Sequence, residues 1–300
     1  MEIHFEIENR CLLGCNHCSS YATSNGCMKE YSIDNMVSFL NSLQGKKEVF
    51  LTGGEPLLYP EIDELLEQLN TEVKDIVLGM FTTGIRGTDI LMAAVSESYA
   101  RRLAHHGLKV CYISIYSHRK EEHDWMTNCE GSFDLTRLSI QHLQEAGVKI
   151  RFNSVITSRN ENEMPQLIEM AKEWGVTEVR LLKLIRHGRA ENCWDAIGIT
   201  EDRYCQVVSA VLKRKNSIRI TASGLVDIIP CRLSYNEKAC PAGKYLWYVT
   251  YKGDVFPCAS IKNRSEYRIG SIKENIGEQC KQFCERSEGL FQSLCKSRCL

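Results

Sequence analysis

The sequence predicts an α/β fold: an open, partial (β/α)6 TIM-like barrel followed by a small, Cys-rich C-terminal domain. Short β-rich runs alternate with stretches of helical periodicity over about the first 190 of the 300 residues, which is the pattern of a parallel sheet covered by helices. Six such units are too few for the standard eight-stranded barrel, so the barrel should stay open. Beyond them the alternation stops, and seven of the 15 cysteines fall within the last 70 residues.

Each element rests on a local pattern. Runs of β-branched and aromatic residues predict strands near 2–8, 48–52, 76–82, 109–116, 148–156 and 178–184. Helical periodicity predicts helices at 32–44, with Ser32 as the N-cap, and at 60–70, 89–106, 133–146 and 163–174. A bridging helix at 200–214 and a strand near 217–221 lead to a hairpin of 245–250 and 254–257. The predicted domains are the barrel at 1–190, the bridge at 191–230 and the Cys-rich domain at 231–300.

Composition describes an ordinary globular chain, with 43% hydrophobic and 25% charged residues and a mean hydropathy of −0.26. A net charge of −1 gives no overall field to hold a polyanion, so nucleic acid is not expected as a partner. The acidic start lacks the basic flank of a secretory signal, and no apolar run approaches the roughly 18 residues of a membrane span. We therefore expect a cytoplasmic protein without membrane contact, in which clustered cysteines more often bind metal than form disulfides.

Three cysteines follow the first strand in the order Cys11-x3-Cys15-x2-Cys18. Three thiolates on one tight loop can reach three corners of an iron–sulfur cubane and leave its fourth iron without a protein ligand, whereas clusters are normally held by four cysteines. The alternative is a structural zinc site made from these cysteines and His17. Zinc sites favour paired C-x2-C arms separated by a longer spacer, so the spacing favours the cluster.

The second strand ends in Thr52-Gly53-Gly54-Glu55-Pro56. Two glycines let the backbone approach a ligand closely, and Glu55 puts a carboxylate at the carboxyl end of a strand. The C-x3-C-x2-C loop after strand one, together with this GGEP segment after strand two, resembles the radical S-adenosylmethionine (SAM) enzymes. The resemblance covers nearly the whole chain, since six β/α units match the partial barrel of that family.

The resemblance implies that Cys11, Cys15 and Cys18 hold a [4Fe–4S] cluster whose open iron is chelated by SAM. One electron, from an external donor of the flavodoxin or ferredoxin type, would cleave SAM reductively to a 5′-deoxyadenosyl radical that abstracts a substrate hydrogen. The protein's own task is then to position the reactants, exclude water and tune the cofactor.

The same resemblance assigns expected roles to residues at the strand ends. Gly53, Gly54 and Glu55 would contact the methionine amino group, and His17 would lie against the adenine. Polar groups on later strand ends would contact the ribose, the carboxylate or the substrate: Ser114 and Asn153 as cofactor contacts, Tyr116 and Arg186 as catalytic residues, and Lys183 beside them. Cys193 is a candidate hydrogen donor to a substrate radical, and Thr82-Thr83-Gly84 resembles the family's Thr-Asn-Gly turn with Thr for Asn.

The C-terminal cysteines resemble the family's auxiliary-cluster extension, known as a SPASM or twitch domain. Cys240, Gly253 and Cys258 give the spacing C-x12-G-x4-C, but the inner spacings of the last four cysteines, three and ten residues, depart from the full pattern C-x2-C-x5-C-x3-C with one further cysteine. The resemblance implies one or two auxiliary [4Fe–4S] clusters drawn from Cys231, Cys240, Cys258, Cys280, Cys284, Cys295 and Cys299. The alternative is a zinc ribbon formed by the two C-x3-C arms.

The favoured function is modification of a ribosomally made peptide by crosslinking, oxidation or epimerisation, because Glu122-His-Asp-Trp and the strand at 112–117 resemble peptide-modifying members. Such enzymes often carry an N-terminal leader-binding module, whereas strand one begins here at residue 2, so a separate leader-peptide carrier is expected, or none. One alternative is a small-molecule radical SAM dehydrogenase acting on a carbinol or a sugar. The other is a non-catalytic zinc-binding adaptor, against which the GGEP segment counts, because a scaffold has no use for an amino-acid chelation site.

Overall fold

The structure, a computed structural model, describes residues 1–88, 90–214, 217–223 and 241–286. The strands of these residues are, in chain order, β1 (Glu2–Glu8), β2 (Lys47–Gly53), β3 (Ile76–Thr82), β4 (Ile85–Gly87), β5 (Met92–Ala94), β6 (Leu108–Ser114), β7 (Lys149–Ile156), β8 (Glu178–Lys183), β9 (Arg219–Ala222), β10 (Leu246–Val249), β11 (Asp254–Phe256) and β12 (Gly270–Ser271). The α-helices are α1 (Ile33–Ser42), α2 (Ile62–Glu72), α3 (Glu97–His105), α4 (Lys120–Thr127), α5 (Ser132–Glu145), α6 (Met164–Glu173), α7 (Arg189–Asn192), α8 (Trp194–Ile197), α9 (Glu201–Lys213) and α10 (Gly277–Arg286).

Ten of the strands in the described part form one sheet, in the order β12-β11-β10-β1-β2-β3-β6-β7-β8-β9. Its middle consists of β1, β2, β3, β6, β7 and β8, which are parallel neighbours and coincide with the six predicted barrel strands. Most of the connecting segments carry helices, as parallel strands require. The predicted α/β partial barrel is confirmed.

The alternation of side chains along β1 separates the outer core from the lumen. Ile3, Phe5 and Ile7 are fully buried in the main hydrophobic cluster, which includes apolar side chains of the covering helices. Glu2 and His4 point the other way and line the central cavity. A strand with acidic residues at alternate positions is therefore buried on both faces, one against helices and one against a polar lumen.

A contact across the lumen shows how strongly the sheet curves. In the sheet order, β1 and β8 are separated by four strands, yet Arg180 Nη1 of β8 lies 3.2 Å from Glu2 Oε1 of β1. Arg180 Nη2 also donates to the Tyr112 hydroxyl of β6 at 2.6 Å, and that hydroxyl donates to Glu178 at 3.2 Å. The sheet thus closes far enough for buried charges on distant strands to pair.

Five of the six predicted helices begin within two residues of the predicted start. α1 starts with a capping box, in which Asn35 N donates to Ser32 Oγ and Ser32 N donates to Asn35 Oδ1. The predicted helix at 89–106 is wrong in its first half, because β4 and β5 form a hairpin there and α3 begins after Ser96, which caps it. Gly87 has φ +123° and passes so close to Leu91 O that a Cβ would lie 2.1 Å from it. The sequence did not predict α4, α7, α8 and α10. No described helix has the length and hydropathy of a membrane span.

The predicted C-terminal hairpin is present as β10 and β11, with Gly253 in its turn at φ +92°. Its placement is a finding that local pattern did not predict: β10 pairs in parallel with β1, and β12 extends the sheet beyond β11. Strands from both sides of the predicted domain boundaries thus belong to one sheet, and the division at 190 and 230 stays a prediction.

Candidate functional site

A cavity of about 420 Å³ opens at the carboxyl ends of the parallel strands. Its lining comes from the loop after β1, from the ends of β2, β3, β6, β7 and β8, and from the tail after β11. Ligands of parallel α/β folds bind at this end because the loops that follow the strands converge there.

The three cysteines of the C-x3-C-x2-C loop all line this cavity. The backbone of the loop is fixed from several sides: Cys11 N donates to Thr23 O at 2.9 Å, Cys18 N donates to Cys15 O at 3.1 Å, and Asn16 Nδ2 donates to Trp125 O at 2.8 Å. These hydrogen bonds therefore hold the loop so that all three thiols lie at one cavity.

Burial strongly disfavours the charged form of the Cys11 and Cys15 thiols. Burial raises the pKa of Cys11 to about 12, with the Glu55 carboxylate adding to the effect. Burial also raises the pKa of Cys15 well above its ordinary value, with Cys11 and Cys18 as close negative neighbours. Iron would have to displace these protons, since metals bind the thiolate, and its positive charge would reverse the unfavourable field.

The residues present match the demands of an iron–sulfur cluster with an additional ligand. Three thiols converge on one cavity, while Asn153 Oδ1 and His17 Nδ1, which belong to residues lining it, are buried without a hydrogen-bond partner in the described part. Among the described residues, no three His, Cys, Asp or Glu side chains are grouped closely enough to hold a single metal ion. The cysteines of a cubane each bind a different iron and need not approach one another as single-ion ligands do.

The two glycines of the GGEP segment allow strand ends to meet. A Cβ on Gly53, which has φ +142°, would lie 1.8 Å from Glu8 O, and one on Gly54 would lie 2.1 Å from Arg10 O. Gly54 N donates to Glu8 O at 2.6 Å, and Glu55 N donates to Arg10 O at 2.7 Å. The segment thereby braces the start of the cysteine loop, and both glycines line the cavity, as predicted for ligand contacts.

Glu55 occupies a different place from the one predicted. Its side chain is buried behind the cavity, where its carboxylate accepts hydrogen bonds from Thr82 Oγ1 at 2.5 Å, from Thr83 N at 2.8 Å, from Thr83 Oγ1 at 2.7 Å and from Leu57 N at 3.1 Å. Burial still raises the pKa of Glu55, because these bonds offset only part of the desolvation. In this structure the carboxylate holds the Thr82-Thr83-Gly84 turn at the cavity wall, and direct contact with a methionine ammonium stays a prediction.

We expect Glu55→Gln to lower the free energy of unfolding by about 1–3 kcal/mol. The carboxylate accepts hydrogen bonds with both of its oxygens, whereas the NH2 group of Gln is itself a donor and would face one set of these donors without an acceptor. SAM affinity should fall with it, as the turn that lines the cavity loses its support. Chemical denaturation and SAM titration measure the two effects, and Glu64→Gln on the exposed face of α2 is the matched control. Weaker SAM binding with an unchanged free energy of unfolding would instead support a direct contact between the Glu55 carboxylate and the methionine ammonium of SAM.

His17 and Tyr116 form the aromatic part of the cavity wall. Their rings meet edge to face at a centroid distance of 4.4 Å, and His123 stacks on the far side of Tyr116 at 5.5 Å. Burial, with the Arg189 charge nearby, lowers the pKa of His17 to about 4, so its ring is neutral at pH 7. A neutral, buried imidazole is suited to contact a nucleobase, and that contact stays our proposal for His17.

Three of the predicted polar contacts line the cavity. Ser114 ends β6 and pairs in register with Asn153 of β7, so the two side chains lie side by side at the strand ends. Lys183 also lines the cavity, and its Nζ donates to Glu201 at 2.9 Å. The structure thus brings Ser114, Asn153 and Lys183 together as predicted, although their roles toward a ligand remain proposals.

Two predicted catalytic residues lie elsewhere in this structure. Arg186 is exposed, and its guanidinium lies 5.3 Å from the ring centre of Trp194. Cys193 packs with Trp194 behind the cysteine loop, where its Sγ is 3.7 Å from Asn16 Oδ1. Neither lines the cavity, although Ile185 and Arg189, on either side of Arg186, do. Sequence position after a strand predicted proximity but not direction.

The tail cysteines are described only in part, since Cys231, Cys240, Cys295 and Cys299 lie outside the described residues. Cys258 lines the cavity at the start of a 3-10 helix, Ala259–Ile261. Cys280 and Cys284 lie one turn apart on α10; Cys280 is buried in the main core, where burial raises its pKa to about 12. Among the three tail cysteines that the structure describes, Cys258 is the one that lines the cavity.

Sequence reasoning missed the contribution of the hairpin and of the segment after it. Leu246 and Tyr248 of β10 line the cavity, as does Lys262. Lys262 Nζ contacts Glu6 and donates to Ser20 Oγ at 2.9 Å, so it joins the tail to the cysteine loop. No local motif identifies these residues, because their position depends on β10 pairing with β1.

Comparison with known proteins places the chain among relatives of one kind. The sequence profile of the radical SAM superfamily matches residues 5–171, more than half of the chain. An AdoMet-dependent heme synthase of Methanosarcina barkeri is 27% identical over 278 residues, covering 86% of this chain and 76% of the synthase. A PqqA peptide cyclase of Rhizobium meliloti is 23% identical over 304 residues, covering 97% and 77%.

Solved structures give the same picture for the fold. SuiB of Streptococcus suis bound to S-adenosylmethionine superposes with a TM-score of 0.72 at 16% identity, over 97% of this chain and 67% of SuiB. SuiB bound to the precursor peptide SuiA gives 0.69 at 15%, over 96% and 66%. At these identities the likeness speaks for the fold alone.

Proposed function

This chain belongs to the radical SAM superfamily, and from that membership we propose that it cleaves SAM reductively and modifies a ribosomally made peptide. The observation that carries the proposal is the convergence of Cys11, Cys15 and Cys18 on one cavity at the carboxyl ends of the strands. When bound, the [4Fe–4S] cluster and SAM supply a 5′-deoxyadenosyl radical, which abstracts a hydrogen atom from the substrate.

The chain's own residues would bind and orient the reactants. The cysteine loop would hold the cluster, while Gly53 and Gly54, which line the cavity, would contact the methionine part of SAM. Asn153 offers an unpaired amide oxygen to the ribose or ammonium, and the neutral His17 ring offers a face to the adenine. The buried walls exclude water, which protects a radical from side reactions.

A second cleft favours a peptide over a compact substrate. This polar cleft, of about 640 Å³, adjoins the cavity and shares Ser19, Ser20 and Lys262 with it. A peptide needs space on both sides of the reacting residue, and cavity and cleft together offer it. The names of the PqqA peptide cyclase and of the SuiB–SuiA complex support the same class. An external electron donor, and a separate carrier for a leader peptide, complete the proposal.

A small molecule is the second candidate substrate, favoured by the similarity to AdoMet-dependent heme synthases. A porphyrin-type precursor would then occupy the cavity in place of a peptide residue. This differs from the carbinol or sugar that the sequence alone offered as the alternative.

The test is anaerobic reconstitution with iron and sulfide, followed by SAM, a reductant and the short peptides encoded beside the gene. We expect one 5′-deoxyadenosine per modified peptide. A crosslink or an oxidation should remove two hydrogen atoms from the peptide, whereas an epimerisation run in D2O should incorporate one deuterium into it. Turnover of a heme precursor, with every peptide unchanged, would decide for the small molecule.

The tail should hold at least one further iron–sulfur cluster near the cavity. In a chain whose loop cysteines are replaced by Ala, about four irons should remain per auxiliary cluster, and adding Cys258→Ala should lower that number. Cys129→Ala, a half-buried cysteine without ligand spacing, serves as the control. Iron analysis of anaerobically purified protein measures this, and zinc in place of iron would leave the tail a structural ribbon.

A further inference from the structure

Arg189 forms three hydrogen bonds to the cysteine loop, although it belongs to no recognised motif. It follows β8 at the start of α7, and three of its groups donate to loop carbonyls: its backbone N to Cys18 O at 2.9 Å, its Nε to Cys15 O at 2.8 Å and its Nη1 to Ala22 O at 2.8 Å. One residue thus joins the two halves of the loop. A planar guanidinium can bridge two carbonyls in this way because its donors are fixed relative to one another.

The preceding residue shows that the two segments lie in direct contact. Gly188 has φ +63°, and a Cβ there would lie 2.4 Å from Cys18 O and 2.8 Å from Ser19 O. Only glycine lets the chain pass this close to the loop at a left-handed backbone conformation. The approach that brings Arg189 to its carbonyls therefore depends on Gly188.

The charge of Arg189 has no carboxylate partner among the described residues. Its Nη2 is buried and makes no hydrogen bond in that part of the chain, although Arg189 lines the cavity that the three cysteines share. A partly buried cation with an unused donor is costly unless an anion completes it. A cluster held by three thiolates carries net negative charge. The unpaired Nη2 donor of Arg189 lies at the same cavity as the three cysteines that would hold this anionic group.

We infer that Arg189 is a positioning residue for the cluster: it clamps the three-cysteine loop through the Cys15 and Ala22 carbonyls and places a positive charge beside the anionic group that the thiolates hold. The inference rests on the proposed function, because it takes Cys11, Cys15 and Cys18 as the ligands. Altering groups that orient metal ligands without binding the metal themselves typically changes metal affinity 10- to 100-fold.

The experiment uses the reconstituted full chain with Arg189→Gln and Arg189→Lys, and Arg203→Gln as the control, an arginine that pairs with Glu161 on the outer helix α9. Iron loss to a chelator is followed for the cluster whose electron paramagnetic resonance signal changes on addition of SAM, and its midpoint potential is measured. We expect Arg189→Gln to lose that cluster at least tenfold faster, with a more negative potential. Arg189→Lys should keep the potential but still lose iron faster, since an ammonium cannot bridge both carbonyls.

Iron loss at the wild-type rate in Arg189→Gln overturns the inference. If that variant does not fold, iron loss at the wild-type rate in Arg189→Lys overturns it instead. A SAM-responsive signal that survives in the variant lacking Cys11, Cys15 and Cys18 would instead refute the proposed function. The two failures are therefore distinguishable.

Discussion

Replacing Cys11, Cys15 and Cys18 together with Ala is expected to remove about four irons per chain and to abolish reductive cleavage of SAM. The three thiols lie in one cavity and on one braced loop, so no single remaining cysteine of the barrel can replace them. Iron analysis and chromatographic detection of 5′-deoxyadenosine measure both effects.

Cys27→Ala is the control for this variant, since Cys27 is exposed and follows the same loop. It should keep the iron content and the cleavage activity. Formation of 5′-deoxyadenosine by the triple variant would show that the radical chemistry originates elsewhere, and would falsify the assignment of these cysteines.

The second large effect is expected at the ion pair that crosses the lumen. Arg180→Met should lower the free energy of unfolding by about 3–5 kcal/mol, because it leaves the buried Glu2 carboxylate without its cation. Glu2→Gln should cost a similar amount, and the double variant should recover much of the loss, as it buries neither charge alone. Denaturant unfolding of the four proteins completes the cycle, and strictly additive losses would show that the pair does not interact.

The pair should also make stability depend on pH. Burial alone would raise the pKa of Glu2, but the Arg180 charge and the hydrogen bond to His4 outweigh it and hold that pKa well below its ordinary value near 4.5. A depressed native pKa contributes stability that is fully present above the unfolded value and is lost as pH falls below it. The acid-induced loss of stability below about pH 4.5 should therefore be smaller in Glu2→Gln than in the wild type.

Local pattern was sufficient for the barrel strands, because each is a buried run bounded by turns and followed by a helix. It failed at Met92–Ala94, where apolar residues of the predicted helix form the second strand of a hairpin because Gly87 allows a turn closed on Leu91. Periodicity in so short a segment does not separate helix from strand.

For the site, the motifs located the residues but not their directions. The GGEP segment correctly placed two glycines at the cavity, whereas the orientation of Glu55 was set by Thr82 and Thr83 on the neighbouring strand. Tyr116 and Cys193 are adjacent in one cluster, yet only Tyr116 lines the cavity. Contacts between segments distant in sequence determine these differences, and no spacing within one segment encodes them.

The pairing of β10 with β1 has a consequence for the time course of folding. Residues 2–5 acquire their second neighbour only from residues 246–249, so during synthesis β1 stays an open sheet edge until residues 246–249 have left the ribosome. Such a long-range pairing is formed late and slows folding, since the ends must find each other through a large loop. The same closure sets Lys262 beside the cysteine loop, so this contact between Lys262 and Ser20 can form only in chains that have been made through to the hairpin of β10 and β11.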